Sequence, residues 1–380
     1  MWQKIKNIYH LIQAVLANVY YGFPSRKIKV IGITGTDGKT TTTNLIAHIL
    51  KESGKKVSFI STVYAEVAGK IYDVGLHVTT PSSFMIQKFL RQAVLNGDEY
   101  FVLETTSHAL DQNRVWGVKY EIGLITNITH EHLDYHKSFE NYVKAKEKLL
   151  KMAKIGIINK NIKYQIANSK YTYQILNIIK KEFHNLPKFN QENYSAAFMI
   201  CKILGLNDYQ IIKAMKSFKL PKGRLEVFYD KDFKVIIDFA HTPNAFLQLL
   251  PEIRKKFVKK NGRLIHIFGS AGLRDKTKRP KMGEISSLYS DYIILTEEDY
   301  RTENLKDICK QIASGIKNKP YEIIENREKA IEKAIFLTKK NYVILLTGKS
   351  HEKSLARGKK EYPWSEHQAV EKAIKKVQIV

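Results

Sequence analysis

"GITGTDGKTTT", residues 32–42, is the stretch whose reading decides the fold. It closes the β-branched run "KIKVIGITG" (27–35). It opens "TTTNLIAHILKESGKK" (41–56), which has helical periodicity and a glycine, Gly54, placed to end the helix. Strand, Gly-rich turn and helix, in that order, are what a phosphate-binding loop requires. The stretch departs from G-x-x-x-x-G-K-S/T, because Ile33 stands where the first glycine belongs. The expected loop is therefore a short one. The backbone N–H groups of Gly35, Thr36, Asp37, Gly38 and Lys39 wrap an anion, and the helix N-terminus adds positive dipole. Lys39 then reaches the β- and γ-phosphates of a nucleotide, and a hydroxyl from Thr40 or Thr41 holds Mg²⁺. A strand–turn–helix junction without ligand is the plainer alternative, and GKT directly before a helix weighs against it.

Outward from the loop, the alternation continues. Strands are expected at 56–62, 100–106, 122–128 and 154–160, with helices between them, for example at 83–96 and 138–152. A second series follows "LPKGRLE" (220–226), with strands at 234–240, 264–270, 291–297, 321–324 and 342–348. The pattern predicts an α/β protein. A P-loop central domain with a mostly parallel sheet spans 26–221, and a Rossmann-like C-terminal α/β domain spans 222–380. Residues 1–25 precede them with an amphipathic helix. Trp2, Ile5, Ile8, Tyr9, Ile12, Val15, Leu16 and Val19 recur at three- and four-residue spacing until "GFPS" (22–25) stops the helix.

Composition narrows the class. The 380 residues are 44% hydrophobic, as expected of a folded globular chain. No apolar run reaches the roughly 18 residues of a membrane span, and the start lacks a secretory cleavage pattern. Cys201 and Cys309 lie far apart and form no metal or redox motif, so a cytoplasmic setting is expected. The formal net charge of +26 raises the question of a polyanion partner. The lysines are spread along a chain that is also rich in Ile, Asn and Tyr, which reads as compositional drift. No nucleic-acid partner and a monomeric state are expected. A basic nucleic-acid-binding P-loop ATPase is the alternative from another class.

Eight further strings occur in order: "LETTSHALDQNR" (103–114), "TNITHEHLDYH" (126–136), "YVKAKEKLL" (142–150), "KFNQENYSAA" (188–197), "GRLE" (223–226), "DFAHTP" (238–243), "FGSAGLRDKTKRPKMG" (268–283) and "LTGKSHE" (346–352). With the short loop they resemble the Mur ligase family over roughly residues 26–370. These are ATP-dependent amide-forming enzymes of peptidoglycan precursor synthesis, and the likeness is greatest to the branch of muramoyl-tripeptide synthetases. A folylpolyglutamate-synthase-like or amidotransferase-associated relative stays open as a second reading.

The resemblance implies a set of roles. ATP is the cofactor, with two Mg²⁺ ions held by Thr40, Glu104, His132 and a carbamylated Lys146. Lys39, Glu104, His132 and Lys146 form the catalytic group. Asn193, Arg224 and Asp238 face the nucleotide. Thr79 and Thr80 of "TTP" (79–81), together with Ser107 and Arg114, contact a muramoyl-peptide acceptor. Arg274 clamps a phosphate or carboxylate. Gly348 and Glu352 hold the incoming amino acid, diaminopimelate or lysine, whose side chain is read by Asp299 and Arg301 in "TEEDYRTE" (296–303). Two departures are plain. Ser350 replaces a family glycine, and only some 25 residues stand where the family carries an N-terminal UDP-binding domain, which is expected to be missing. The N-terminal helix is expected to pack its apolar stripe on the central domain or to lay it on anionic lipid.

Overall fold

The five consecutive buried positions of Val30–Thr34 mark a strand covered on both faces, as the interior of a parallel sheet demands. In the computed structural model this strand, β1 (Lys29–Thr34), lies at the centre of eight. The structure describes residues 2–76, 78–159, 162, 173–176 and 183–378. The side chains of Trp2 and Lys4, and residue 160 at the end of the expected 154–160 strand, lie outside them. The chain divides into two compact units, residues 1–219 and 220–380.

The first unit runs α1 (Trp2–Tyr21), β1, α2 (Lys39–Glu52), β2 (Val57–Ile60), β3 (Ala65–Val67), β4 (Lys70–Tyr72), α3 (Ser83–Leu95) and β5 (Tyr100–Glu104). It continues with α4 (Ser107–Asp111), β6 (Tyr120–Ile125), α5 (Leu133–His136), α6 (Phe139–Met152), β7 (Ala153–Asn159), β8 (Tyr173–Leu176), α7 (Lys188–Ile203) and α8 (Asp208–Ser217). The sheet order is β4-β3-β2-β5-β1-β6-β7-β8. From β2 to β8 it is parallel. Ile31, Ile33 and Val102 pack on one face against Leu45 and Ile49 of α2 and Ala197 and Ile200 of α7. Val30, Phe101 and Leu103 pack on the other against Ile86 and Leu90 of α3. Because β5, β1 and β6 are parallel neighbours, with Ile33 beside Glu104 and Thr34 beside Ile125, their outgoing loops open at one edge. That edge is where an open α/β sheet binds its ligand.

The second unit runs β9 (Glu226–Asp230), β10 (Lys234–Asp238), α9 (Pro243–Phe257), β11 (Leu264–Phe268), α10 (Lys278–Tyr289), β12 (Tyr292–Leu295) and α11 (Leu305–Ala313). There follow β13 (Tyr321–Ile323), α12 (Arg327–Phe336), β14 (Val343–Thr347), the hairpin β15 (Ser354–Arg357) and β16 (Lys360–Pro363), and α13 (Glu366–Gln378). Its main sheet, β13-β12-β11-β14-β10-β9, is parallel except for β9. Val235, Ile267, Ile344 and Leu346 bury against Ile331 of α12 and Val370 of α13.

Four pieces of strand lie beyond the expected pattern, β8 (Tyr173–Leu176) among them. The β3–β4 hairpin turns on Ala68 and Gly69, both at positive φ (51° and 76°), in a two-residue turn that favours Asn-Gly or Asp-Gly and so went unread. Strand β9 is an edge strand of mixed polarity, and the β15–β16 hairpin is a separate two-stranded sheet. The N-terminal helix differs in a more consequential way. It packs on α3 through small and polar residues, with Ala14, Ala17 and Asn18 buried. Asn18 donates to the Trp116 carbonyl at 2.8 Å, and Asn7 donates to the Asp111 carbonyl and to its Oδ2, each at 3.2 Å. Ile5, Ile8, Tyr9, Ile12, Leu16, Val19 and Tyr20 are instead 53–76% exposed. The apolar stripe therefore does not pack on this unit. Fixed backbone acceptors at residues 111 and 116 hold the polar face inward.

Candidate active site

The glycines of the loop are there for space. Gly35 has φ 154° and Gly38 φ 81°. A Cβ on Gly35 would lie 1.8 Å from Thr126 Oγ1, and one on Gly38 would lie 2.2 Å from Asn193 Oδ1. Asn193, on α7, thus touches the loop, as a nucleotide-side residue should, and its Oδ1 accepts from Thr42 Oγ1 at 3.3 Å. The expected ring of anion-binding amides is narrower than the sequence reading. The N–H groups of Thr36 and Asp37 donate to Asn127 Oδ1 at 3.2 and 2.8 Å, and Thr36 N–H also donates to the Asn127 carbonyl at 3.0 Å. Asn127 follows β6 and reaches the loop because β6 is the neighbour of β1. Two of the five expected amides, those of Thr36 and Asp37, are thus turned to Asn127, while Gly38 is the left-handed cap of α2, where no side chain caps the helix. Lys39 Nζ folds onto the carbonyls of Gly35 and Thr36 at 3.0 and 2.8 Å.

Glu104, fully buried at the end of β5, is the centre of the site. Its Oε1 accepts from Thr40 Oγ1 at 3.0 Å and from Thr62 Oγ1 at 2.8 Å. Its Oε2 accepts from the Thr62 N–H at 2.8 Å. Of the two candidate hydroxyls it is Thr40 that reaches Glu104. Thr62 Oγ1 also pairs with Thr79 Oγ1 at 3.2 Å, and Thr80 Oγ1 donates to the Glu104 carbonyl at 3.1 Å. Arg114 Nη1 donates to the Thr80 carbonyl at 2.6 Å, and Ser107 Oγ pairs with His136 Nε2 at 3.0 Å. Thr80 reaches only the backbone carbonyl of Glu104 and Ser107 bonds elsewhere, while Thr79, through Thr62, and the phosphate loop, through Thr40, meet at one carboxylate. Sequence reasoning missed Thr62, which joins them, because its partners lie far away along the chain.

A second group gathers around Tyr142 of α6. The Tyr142 hydroxyl pairs with Thr36 Oγ1 of the loop at 3.0 Å, Lys146 Nζ sits 4.4 Å from the ring centroid, and the His132 ring is 6.2 Å away. Lys146 is buried. Burial first, and the Lys39 cation second, push its amine well below the ordinary lysine value. Among the described residues no three His, Cys, Asp or Glu side chains form a metal cage. The Thr40 and Glu104 oxygens do make an adjacent hard pair. That suits Mg²⁺, which takes few protein ligands and completes its shell with phosphate oxygens and water.

In the second unit the candidates open from the same edge of the sheet, after β10, β11, β12 and β14. Asp238 is held by the N–H groups of Leu225 and Ala240, both at 2.7 Å, so it ties the segment before β9 to the end of β10. Burial raises its pKa, and Arg224 opposes the rise. The Arg224 guanidinium stacks 4.5 Å from the Phe239 ring. Arg274 is exposed. Asp299 is already engaged, accepting from Lys349 Nζ at 2.8 Å and the Ala356 N–H at 2.9 Å, and Lys349 also pairs with Glu352 at 2.5 Å. Lys349, unread in "GKSHE", is thus a buried cation between two candidate residues. Arg301 is half-buried, and its Nη1 donates to the Gly272 carbonyl at 2.8 Å. Gly348 has φ 100° and sits against Glu298, where a Cβ would lie 2.8 Å from Oε2. Ser350, where the family pattern has glycine, adopts a left-handed backbone, φ 46°, and its hydroxyl donates to the Gly223 carbonyl at 2.8 Å.

A glycine loop opening a helix, with a hydroxyl–carboxylate pair beside it, defines a phosphate-loop enzyme working on a nucleotide and its metal. Comparison with known proteins gives the class a family. Residues 33–212 match the Mur ligase middle domain and residues 223–350 the Mur ligase glutamate ligase domain. UDP-N-acetylmuramoyl-L-alanyl-D-glutamate–2,6-diaminopimelate ligase 1 of Clostridium acetobutylicum is 37% identical, over 96% of this chain and 82% of the relative. UDP-N-acetylmuramyl-tripeptide synthetase of Borreliella burgdorferi is 38% identical, over 94% and 78%. Among solved structures, the folylpolyglutamate synthase of Mycobacterium tuberculosis shares the fold with a TM-score of 0.71 at 14% identity, covering 89% of this chain and 92% of that one. The chain belongs to the Mur ligase family and is an ATP-dependent, ADP-forming amide ligase.

Proposed function

We propose that this ligase joins a diamino acid to the carboxylate of a muramoyl-peptide acceptor, by way of an acyl phosphate, in peptidoglycan precursor synthesis in the cytoplasm. A carboxylate does not condense with an amine unaided, because its oxygen is a poor leaving group. ATP supplies the remedy: phosphoryl transfer to that oxygen lets the amine expel phosphate, leaving an amide and ADP. What remains for the protein is positioning and charge neutralisation. Lys39, held on the loop carbonyls of Gly35 and Thr36, would exchange those acceptors for the phosphates when a nucleotide binds. Thr40 and Glu104 would hold one Mg²⁺, and His132 and Lys146 would serve a second, and such ions would supply charge to offset that of the phosphates. Thr79, Thr80, Ser107 and Arg114 orient the acceptor.

Lys146 enters as a carbamate. A neutral amine attacks CO₂, an N–C bond forms, a proton leaves to solvent, and the cation becomes an anionic oxygen ligand of the kind Mg²⁺ prefers. The burial of Lys146 supports this reading, since it favours the neutral amine. Arg301 reads a carboxylate on the side chain of the incoming residue, with diaminopimelate as the expected substrate and lysine the competitor.

The observation that carries the proposal is the double attachment of Glu104, to Thr40 on the nucleotide side and through Thr62 to Thr79 on the acceptor side. The test is ADP release with Mg²⁺ across a panel of amino acids and muramoyl-peptide acceptors, with and without UDP. Release is expected only when acceptor and amino acid are both present. Turnover that ignores every acceptor but rises with DNA would overturn it. Turnover with a folate and glutamate alone would move the enzyme to the folylpolyglutamate reading.

A further inference from the structure

Helix α1 is inverted relative to ordinary surface helices. A helix on a globular unit turns its apolar stripe inward and its polar residues to water. Here Asn7, Ala14, Ala17 and Asn18 face the unit, and Ile5, Ile8, Ile12, Leu16 and Val19 face outward. At about 100° per residue these five positions form one continuous line. The unit thus holds the helix in place without using its apolar side.

Charge says what covers that side. The helix carries Lys4, Lys6 and His10 and no Asp or Glu. On the same angular spacing, positions 4 and 6 lie to either side of the apolar line, position 6 nearer the face turned to the unit; a lysine stem can in general run along an apolar surface while its ammonium reaches anionic headgroups. Arg26, Lys27 and Lys29, just past the helix, are exposed, and the whole chain carries +26. Tyr9 and Tyr20, both exposed, have the amphipathic rings that favour the interface. No helix among the described residues is long and apolar enough to cross a bilayer, so this one would lie on its surface.

We propose that α1 is an interfacial helix that docks the ligase on an anionic membrane through Ile5, Ile8, Ile12, Leu16 and Val19, with lysines on both flanks. The inference does not rest on the acceptor's identity. It does place that site near lipid, because Gln3 of α1 donates to the Tyr135 hydroxyl at 2.8 Å, and that hydroxyl donates to Asp111 at 2.9 Å at the end of the acceptor segment.

The test is co-sedimentation of the full chain with vesicles of phosphatidylcholine alone or with phosphatidylglycerol added, at low and high salt. The wild type should pellet with the anionic vesicles at low salt and much less with the neutral ones. Ile12→Glu/Leu16→Glu, both on the exposed face, should keep the melting temperature and ADP release in solution while lowering vesicle binding by about tenfold or more. Lys4→Gln/Lys6→Gln should weaken binding mainly at low salt. A wild type that stays in the supernatant overturns the proposal. So does equal pelleting of the Ile12→Glu/Leu16→Glu variant, which would mean bulk charge alone. A dimer that this variant splits into monomers would assign the stripe to a second copy and would also overturn it.

Discussion

Lys146 sits buried beside an aromatic ring, with its ordinary charge disfavoured by burial. Between its folded value and the lysine value of 10.5 the unfolded chain binds more protons. Stability therefore rises with pH across that window and falls as pH drops through it. Carbamylation follows the same sign. Isotope-labelled CO₂ should give a carbamate carbon signal that fades as acid protonates the amine and is absent from Lys146→Ala. That variant should lose turnover by orders of magnitude, with partial rescue by acetate filling the anionic place; wild-type activity in it would refute the assignment. Glu104→Gln keeps the shape and two hydroxyl neighbours but removes the charge. It should lower ADP release by about 10²–10³-fold with little change in melting temperature. At Arg301 a charge-assisted pair is worth about 1.5–3 kcal/mol, so diaminopimelate should exceed lysine by roughly tenfold or more. Arg301→Ala should erase the gap, and a lysine preference in the wild type would sink the idea.

Elements were legible where their signal is local. Parallel strands such as β1 and β5 read as unbroken apolar runs, and α2 announced itself through the loop before it. What was not legible depends on which strand lies beside which. Asn127 and Thr62 meet the site only because β6 and β2 bring them there across some 90 and 42 positions of chain. Nor does periodicity say which way a helix faces: α1 was read as a stripe, and its direction was set by Asn7 and Asn18. At this scale the ion pair anchoring α10 makes a stability prediction. Fully buried Arg279 pairs with Glu303 at 2.7 Å, and the bond to Arg279 holds the Glu303 carboxyl near pKa 2. Its stabilising share is complete above the ordinary 4.5 and is lost as pH falls towards 2. Glu303→Gln should cost about 3 kcal/mol at neutral pH, because it leaves a buried cation without its partner. Thermal melting from pH 7 down to pH 2 should show the variant's deficit shrinking.

On the scale of the whole molecule, each unit carries its own sheet and core, and the chain passes once from one to the other near residues 219–220. Exposed Lys219 and Lys222 flank that passage. Brief trypsin treatment should cut there first and leave two resistant fragments, each retaining α/β circular dichroism. General digestion with no such pair would argue against separately stable cores.

The shared edge of β5, β1 and β6 has a consequence for how such a protein changes over time. In the first unit the proposed acceptor segment 105–114 leaves the parallel strand β5, and that strand fixes where the segment starts. On the proposed roles, substitutions at Ser107 and Arg114 should retune the acceptor while Ala109 and Leu110 stay in the core, provided Thr106 keeps its N–H bond to Thr80. A chimaera bearing a relative's 79–81 and 105–114 rims on this sheet should inherit the relative's choice of acceptor while keeping this chain's grip on the nucleotide.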